Sequence, residues 1–382
     1  MTAFRDFDTA DFLRNYWQKE PVLIRNPWRE WTNPIEPDDL AGLACEPEVE
    51  SRLLHRAGED RWKLEHGPLA PARFADLRQD PWTLLVQAVD HHVPQVAALL
   101  EPFRFIPDWR IDDVMVSYAS DGGGVGPHFD QYDVFLVQGL GRRRWRIGQS
   151  CDENSPLLPH EDLRLLAHFE RVDEWVLEPG DILYVPPGVA HDGEAIGDDC
   201  MTYSVGFRAP SRGDLLSAFA DHVLDSLSED DRYTDPDDAA PADPGEISAD
   251  ALARLHGMVT GALADQDAFS RWFGAYITEQ KDDRVDWAPE DAITADDLVS
   301  AGEGPVMLER NPALRFAFIR QGEDAVMLFV SGARYGCNGA AALVAQRICA
   351  KTSFTLDHET LRDPGVEELI VDLINRGYLA PD

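Results

Sequence analysis

An imidazole and a carboxylate two residues apart, His128 and Asp130, stand in the run Gly-Pro-His-Phe-Asp-Gln-Tyr-Asp over 126–133. On an extended strand, side chains two apart project to the same face, so the pair aims two ligand atoms at one point. A third ligand is available in Pro186-Pro187-Gly188-Val189-Ala190-His191, just past a turn, where a neighbouring strand can bring the ring against the first two. Two histidines and one carboxylate on one side of an ion, with the opposite positions open, form the ligand set of non-heme Fe(II) oxygenases. The plainer alternative is a β-hairpin with a buried histidine and no metal.

A second chemical signal lies in Arg142-Arg143-Arg144-Trp145-Arg146-Ile147. Strand alternation groups Arg143 with Trp145 and Ile147, the apolar face, and sets Arg142, Arg144 and Arg146 on the opposite one as solvent-facing charges. An arginine on the inner face keeps its charge and therefore needs an anion. A bidentate carboxylate fits, either from a bound dicarboxylic acid or from an internal Asp or Glu.

These groups need strands to hold them. Residues 113–119 read as a strand entering the turn Asp121-Gly122-Gly123-Gly124. No Gly-Lys-Ser/Thr follows this glycine run, so it is a turn and not a phosphate loop. Residues 133–138 read as a strand, Gly139-Leu140-Gly141 as a tight turn and 142–147 as its hairpin partner. Residues 175–177 and 182–185 form a second expected hairpin about Glu178-Pro179-Gly180-Asp181, and 200–208 closes the series. Many short strands between Gly/Pro turns, with ligands on two of them, indicate a double-stranded β-helix, or jelly roll.

Before this region, residues 10–18 read as a helix and 21–25 as a strand, and a strand-rich patch runs to about Leu69. The apolar spacing of 81–100 predicts a helix, in which His91 and His92 are surface or packing residues. After Pro210 the pattern turns helical, at 215–227, 247–260 and 269–281, around a polar, proline-rich loop over 229–246. From about Thr294, helix and strand alternate: 295–299, 305–308, 315–320, 325–330, 339–350 and 366–375.

With 382 residues the chain is long enough for two or three domains. It has no apolar run of membrane-spanning length, and its N-terminus lacks the basic start and apolar stretch of a secretory signal. An intracellular, cytoplasmic protein is expected. Five scattered cysteines fit reduced thiols and give no Cys-x-x-Cys zinc site. A net charge of −36 repels nucleic acid and favours a cationic partner. Acidity of this kind also serves solubility in a salty cytoplasm, and charge alone does not separate the two.

The run from Gly122 to Arg146, with 178–191 and Tyr203-Ser-Val-Gly-Phe-Arg-Ala-Pro210, strongly resembles the bacterial ribosomal oxygenases of the JmjC type. Gly180, Pro186, Gly188 and His191 also reproduce the second sequence motif of the cupin barrel. The resemblance implies that His128, Asp130 and His191 hold Fe(II), that Arg143 clamps the distal carboxylate of 2-oxoglutarate, and that Ser117 also contacts this cosubstrate. Thr202 is a weaker candidate for the same pocket. The cupin pattern allows an Asn four residues after the last histidine, and Ala195 stands there instead.

The implied activity is hydroxylation of an arginine side chain of a basic large-subunit ribosomal protein, with O2 consumed and succinate and CO2 released. A lysine demethylase is a less favoured variant. The alternative of another class is a non-catalytic metal-binding cupin with a winged helix, acting as a binding or regulatory protein. Asp121, Asp133, Asp192 and Glu194 lie near the ligands in sequence as partners for a substrate guanidinium. The implied architecture is a mainly β JmjC/cupin catalytic domain over 1–209, a helical dimerisation region over 210–290 giving a homodimer, and an α+β winged-helix-like domain over 291–382. That last domain has no basic recognition stripe, so direct DNA binding is not expected.

Overall fold

Runs of Val, Leu, Ile and aromatic residues bounded by Gly, Pro and Asp set the strands of the N-terminal part. The computed structural model describes residues 4–5, 7–56, 58, 62–75, 77, 81–236, 238, 240, 242–280, 287–300 and 304–381. By its internal contacts the chain divides into two compact units, one running essentially to Ala209 and the other mostly from Pro210 onward.

The first unit is built on β1 (Val22–Ile24), β2 (Ser51–Arg56), β3 (Trp62–His66), β4 (Trp82–Val86), β5 (Ile111–Ala119), β6 (Asp133–Ser150), β7 (Asp173–Leu177), β8 (Ile182–Val185) and β9 (Val189–Phe207). These pair in the order β1-β8-β6-β9-β5-β4-β2-β3, with β7 also on β6, and every pairing is antiparallel. The short helices α1 (Thr9–Asn15), α2 (Pro37–Leu43), α3 (Pro71–Ala75) and α4 (Pro94–Ala97) accompany the sheet. Asp8 caps α1 through the backbone N–H of Asp11, so the helix begins where the sequence supplies a short acceptor. Its Phe12 packs on Phe135 and Tyr184 in an aromatic core that also holds Phe103 and Phe207.

Three expectations about elements are corrected. Residues 81–100 are not one helix: Trp82–Val86 is strand β4, and one-turn helical segments follow it. Leu84, Leu85 and Val86 are all buried, so both faces of the strand are apolar and the period-2 signal is lost. Gly139-Leu140-Gly141 does not reverse the chain, because β6 runs on through it and pairs with β9 on both sides. Gln138 opposes Thr202 and Leu140 opposes Met201, so Gly139 is one extra residue on β6, a β-bulge. Only glycine fits there: a Cβ would lie 2.5 Å from the Tyr203 ring.

The expected hairpin of 175–177 with 182–185 is likewise absent, since β7 and β8 both pair with β6, end to end. The jog between them answers the bulge, with the Gln138 N–H donating to the Asp181 carbonyl and the Gly180 N–H to the Gln138 carbonyl.

The second unit begins with α5 (Arg212–Leu224), α6 (Ala249–Leu263) and α7 (Gln266–Thr278), close to the expected spans, though Lys281 lies outside the described residues. Ser211 and Asp214 form a reciprocal capping box on α5, and Ser248 and Asp265 cap the next two helices. The chain continues through α8 (Ala295–Ser300), β10 (Val306–Arg310), β11 (Phe316–Arg320), β12 (Ala325–Val330), β13 (Ala333–Asn338), α9 (Ala340–Ala350), β14 (Ser353–Leu356), α10 (His358–Leu361), α11 (Pro364–Asn375) and β15 (Leu379–Pro381). Strands β11-β12-β13 form one three-stranded sheet and β14-β10-β15 another. Helices α9 and α11 bury Ile348, Ile370 and Leu373 in the same core.

Candidate metal and anion site

His128 lies not in a regular strand but in an extended segment joined to β9 by one antiparallel bridge, His128 with His191. The two residues exchange backbone hydrogen bonds of 3.0 and 2.8 Å, and the Gly188 N–H donates to the Asp130 carbonyl at 2.7 Å. The Pro-Pro-Gly turn therefore fixes the Asp130 end of this segment and the start of β9 fixes the His128 end. Ligand atoms of His128, Asp130 and His191 all lie within 4.8 Å of one another, and no other such group of three or more occurs among the described residues. The two imidazole centroids are 4.3 Å apart, and His191 Nε2 is 3.6 Å from Asp130 Oδ2.

The second nitrogen of each ring is already engaged. Nδ1 of His128 lies 2.8 Å from the Gly126 carbonyl, and Nδ1 of His191 lies 3.1 Å from the Val189 carbonyl. A carbonyl can only accept, so Nδ1 carries the proton in each ring and Nε2 keeps its lone pair. That is the tautomer a divalent cation needs, oriented by backbone groups of the kind that support metal-bound histidines. Burial pushes the His191 imidazole down to about 4, His128 reinforces this and Asp130 opposes it. The ring therefore stays neutral and metal-competent at neutral pH.

The triad opens on a cavity of about 390 Å³ whose wall includes Arg143, Trp145, Ser117 and Thr202. Arg143 is 3% exposed, its Nε donates to Cys200 Sγ at 3.4 Å, and its Nη2 has no hydrogen-bond partner among the described residues. Among the described residues no carboxylate forms an ion pair with it, which speaks against a structural Arg-carboxylate pair. A buried guanidinium with a free donor edge calls for an anion delivered from outside. The donor set fits a divalent cation with a small dicarboxylic acid: three hard or borderline ligand atoms, and a cation set apart for a carboxylate.

Arg144 and Arg146 are less exposed than expected. They form a lattice of ion pairs with Glu174, Asp192 and Glu194 on the outer side of β6, β7 and β9, while Arg142 is exposed. This engages two of the four acids considered for a substrate guanidinium, Asp192 and Glu194. Asp133 is buried beneath Tyr184, Gln18 and Arg110, and Asp121 accepts from the Gly197 N–H. None of the four lines the cavity. Asp112, Asp113 and Asp162 do, and strand alternation around the ligands gave no sign of them because they come from β5 and from a distant loop.

Residues 98–215 match the JmjC domain family, and residues 261–380 match the ROXA-like winged helix. The "Ribosomal protein uL16 3-hydroxylase" of Escherichia coli strain K12 is 40% identical over 371 residues, covering 96% of each chain. The chain belongs to the JmjC-type ribosomal oxygenases. The "Probable ribosomal oxygenase" of Haemophilus influenzae is 34% identical, over 83% of the present oxygenase and 78% of the relative. Structures of the E. coli ribosomal oxygenase YcfD, one in complex with cobalt and 2-oxoglutarate and one with cobalt and succinic acid, superpose on this oxygenase with TM-scores of 0.86. They cover all of both chains at 35% identity. The large antiparallel sheet is thus the cupin-type double-stranded β-helix, followed by helices and a winged helix, as the motifs implied.

Proposed function

We infer that the chain is an Fe(II)- and 2-oxoglutarate-dependent protein hydroxylase that acts on an arginine side chain of a large-subunit ribosomal protein in the cytoplasm. One observation carries this reading: the free Nε2 edges and carboxylate of His128, Asp130 and His191 share a cavity with the buried, partner-free Nη2 of Arg143. In this reading the three residues hold the iron, and Arg143, with Ser117 and Thr202 on the same wall, binds the far carboxylate of 2-oxoglutarate. The E. coli relatives support the cosubstrate and the ribosomal substrate through the names they carry.

Iron and 2-oxoglutarate bound there supply an O2-driven oxidative decarboxylation in which one oxygen atom enters a substrate C–H bond and the other enters succinate, with release of CO2. The chain's own residues bind, orient and exclude water. Arg143 fixes the diacid at one end, so that its other end meets the metal ligands in a single pose. Leu163 and Leu165, packed on Leu54 and Leu85, shield part of the cavity from water. Asp112, Asp113 and Asp162 line the same cavity and give it an acidic side that suits a cationic side chain, though Asp112 already pairs with Arg208 and Asp113 accepts from the Gln87 amide.

The test is anaerobic addition of Fe(II) and 2-oxoglutarate, followed by O2 and a mixture of basic ribosomal proteins. We expect a weak visible charge-transfer band, release of succinate, and one protein whose intact mass rises by one oxygen. A fall by one methyl group would point to demethylation instead. No band and no succinate from a folded protein would leave only the binding-protein alternative.

Residues 1–209, 210–290 and 291–382 are proposed as catalytic, dimerisation and winged-helix parts, with the second making a homodimer. The support is that Leu216, Leu252, Leu255, Met258 and Val259 on α5 and α6 are exposed. A chain either buries such helix faces against itself or docks them on a partner, here a second copy. Val259→Glu should turn a dimer into a monomer in analytical ultracentrifugation; a wild-type monomer would refute the assignment.

A further inference from the structure

From the wall of the cavity inward, buried polar side chains connect to one another. Ser117, Thr202 and Gln138 are Cα partners across β5, β9 and β6, and all three are buried. The Gln138 amide donates to the Leu140 carbonyl at 2.7 Å and the Met201 carbonyl at 3.1 Å, and reaches Cys200 Sγ at 3.5 Å. Its own carbonyl accepts from the Thr202 hydroxyl at 3.1 Å. Two carbonyl acceptors face its nitrogen, so the amide cannot be flipped without setting oxygen against oxygen. Cys200 Sγ, fully buried, meets Arg143 Nε at 3.4 Å and thereby links the guanidinium to Gln138.

We propose that Gln138 and Cys200 are positioning residues for Arg143, presetting the guanidinium so that its free edge meets one carboxylate of the diacid. The inference rests on the reading of Arg143 as an anion clamp given above. An arginine tethered at Nε in a buried wall has given up its rotamer freedom before the ligand arrives, and preorganisation of this kind is expressed as affinity. Gln138 stands beside the Gly139 bulge, where the bent backbone turns the Leu140 carbonyl onto the amide. The bulge, the amide, the thiol and the guanidinium thus form one chain of contacts that ends at the cavity.

The test uses the full chain loaded with Mn(II), without turnover, titrated calorimetrically with 2-oxoglutarate. Cys200→Ala should weaken binding about fivefold, the worth of one ordinary hydrogen bond, since a thiol sulfur is a weak acceptor even for a charged donor. Cys200→Ser keeps an acceptor and should stay within about twofold of wild type. Gln138→Met should shift affinity in the same direction as Cys200→Ala, with Mn(II) binding unchanged; in turnover, KM for 2-oxoglutarate should rise while kcat holds.

If Gln138→Met does not fold, the two Cys200 variants still decide the matter. Wild-type affinity in Cys200→Ala, or a Cys200→Ser variant as weak as Cys200→Ala, would overturn the proposal. Arg143→Met separates the two levels. If it binds the diacid as wild type does, the anion-clamp reading itself falls. If it alone loses binding, the clamp stands and only the positioning role fails.

Discussion

His128 and His191 differ in burial but are held alike, each by a carbonyl two residues earlier in the chain. Either one changed to Ala should lower metal affinity by more than about 100-fold, beyond the usual effect of losing an outer-shell partner, as read by bound metal after dialysis. Retention of stoichiometric metal by His191→Ala would exclude this triad as the site. The His-x-Asp pair and His191 were legible in the sequence because their spacing and a Pro-Pro-Gly turn are local signals, and Arg143 because it interrupts an apolar face. Gln138 was not legible: its partners are two carbonyls, a thiol and a hydroxyl, most of them on another strand, and no local spacing encodes them. Among the described residues none of the five cysteines is joined in a disulfide. Burial pushes the Cys337 thiol up to about 11, so its reactive thiolate stays scarce until the pH rises toward that value. Iodoacetamide at pH 8 should label the half-buried Cys45 and Cys151 before Cys337, as peptide mass mapping would show.

Elements were legible where amphipathic periodicity is strong, as in α5, α6, α7, α9 and α11, and misjudged where strands are apolar on both faces or glycine interrupts them. Glycine punctuates a chain whether it reverses the strand or only kinks it, and the choice depends on which strand lies opposite. The loop before the metal segment shows how closely such positions are determined. Gly126 has φ +100°, and a Cβ there would lie 2.7 Å from the Trp62 ring. Gly126→Ala should therefore cost about 1–3 kcal/mol of stability. It should also weaken metal binding roughly 10- to 100-fold, because the carbonyl that orients His128 belongs to this residue. Thermal melts with and without metal would measure both, and a variant with wild-type metal affinity would show that the carbonyl is not an orienting group.

For the whole molecule, 70 acidic residues against 34 basic ones set the long-range field. If that field recruits a basic protein, kcat/KM on the intact substrate should fall about tenfold from low to high salt, while 2-oxoglutarate affinity changes little. Equal salt sensitivity for a short neutral substrate peptide would assign the acidity to solubility instead. No described helix is long and apolar enough to cross a membrane. The single residue inserted at Gly139 has reach at this scale as well. Before it, Val134 and Leu136 look into the cavity; beyond it, Arg143 and Trp145 do, an odd number of steps later. Even and odd positions have exchanged sides of the wall. Were the strand to run from Leu136 to Arg143 without any irregularity, alternation would turn Arg143 outward and bring Arg142 and Arg144 inward. The irregular stretch of β6 about Gly139 and Gly141 thus decides which of three consecutive arginines becomes an interior cation.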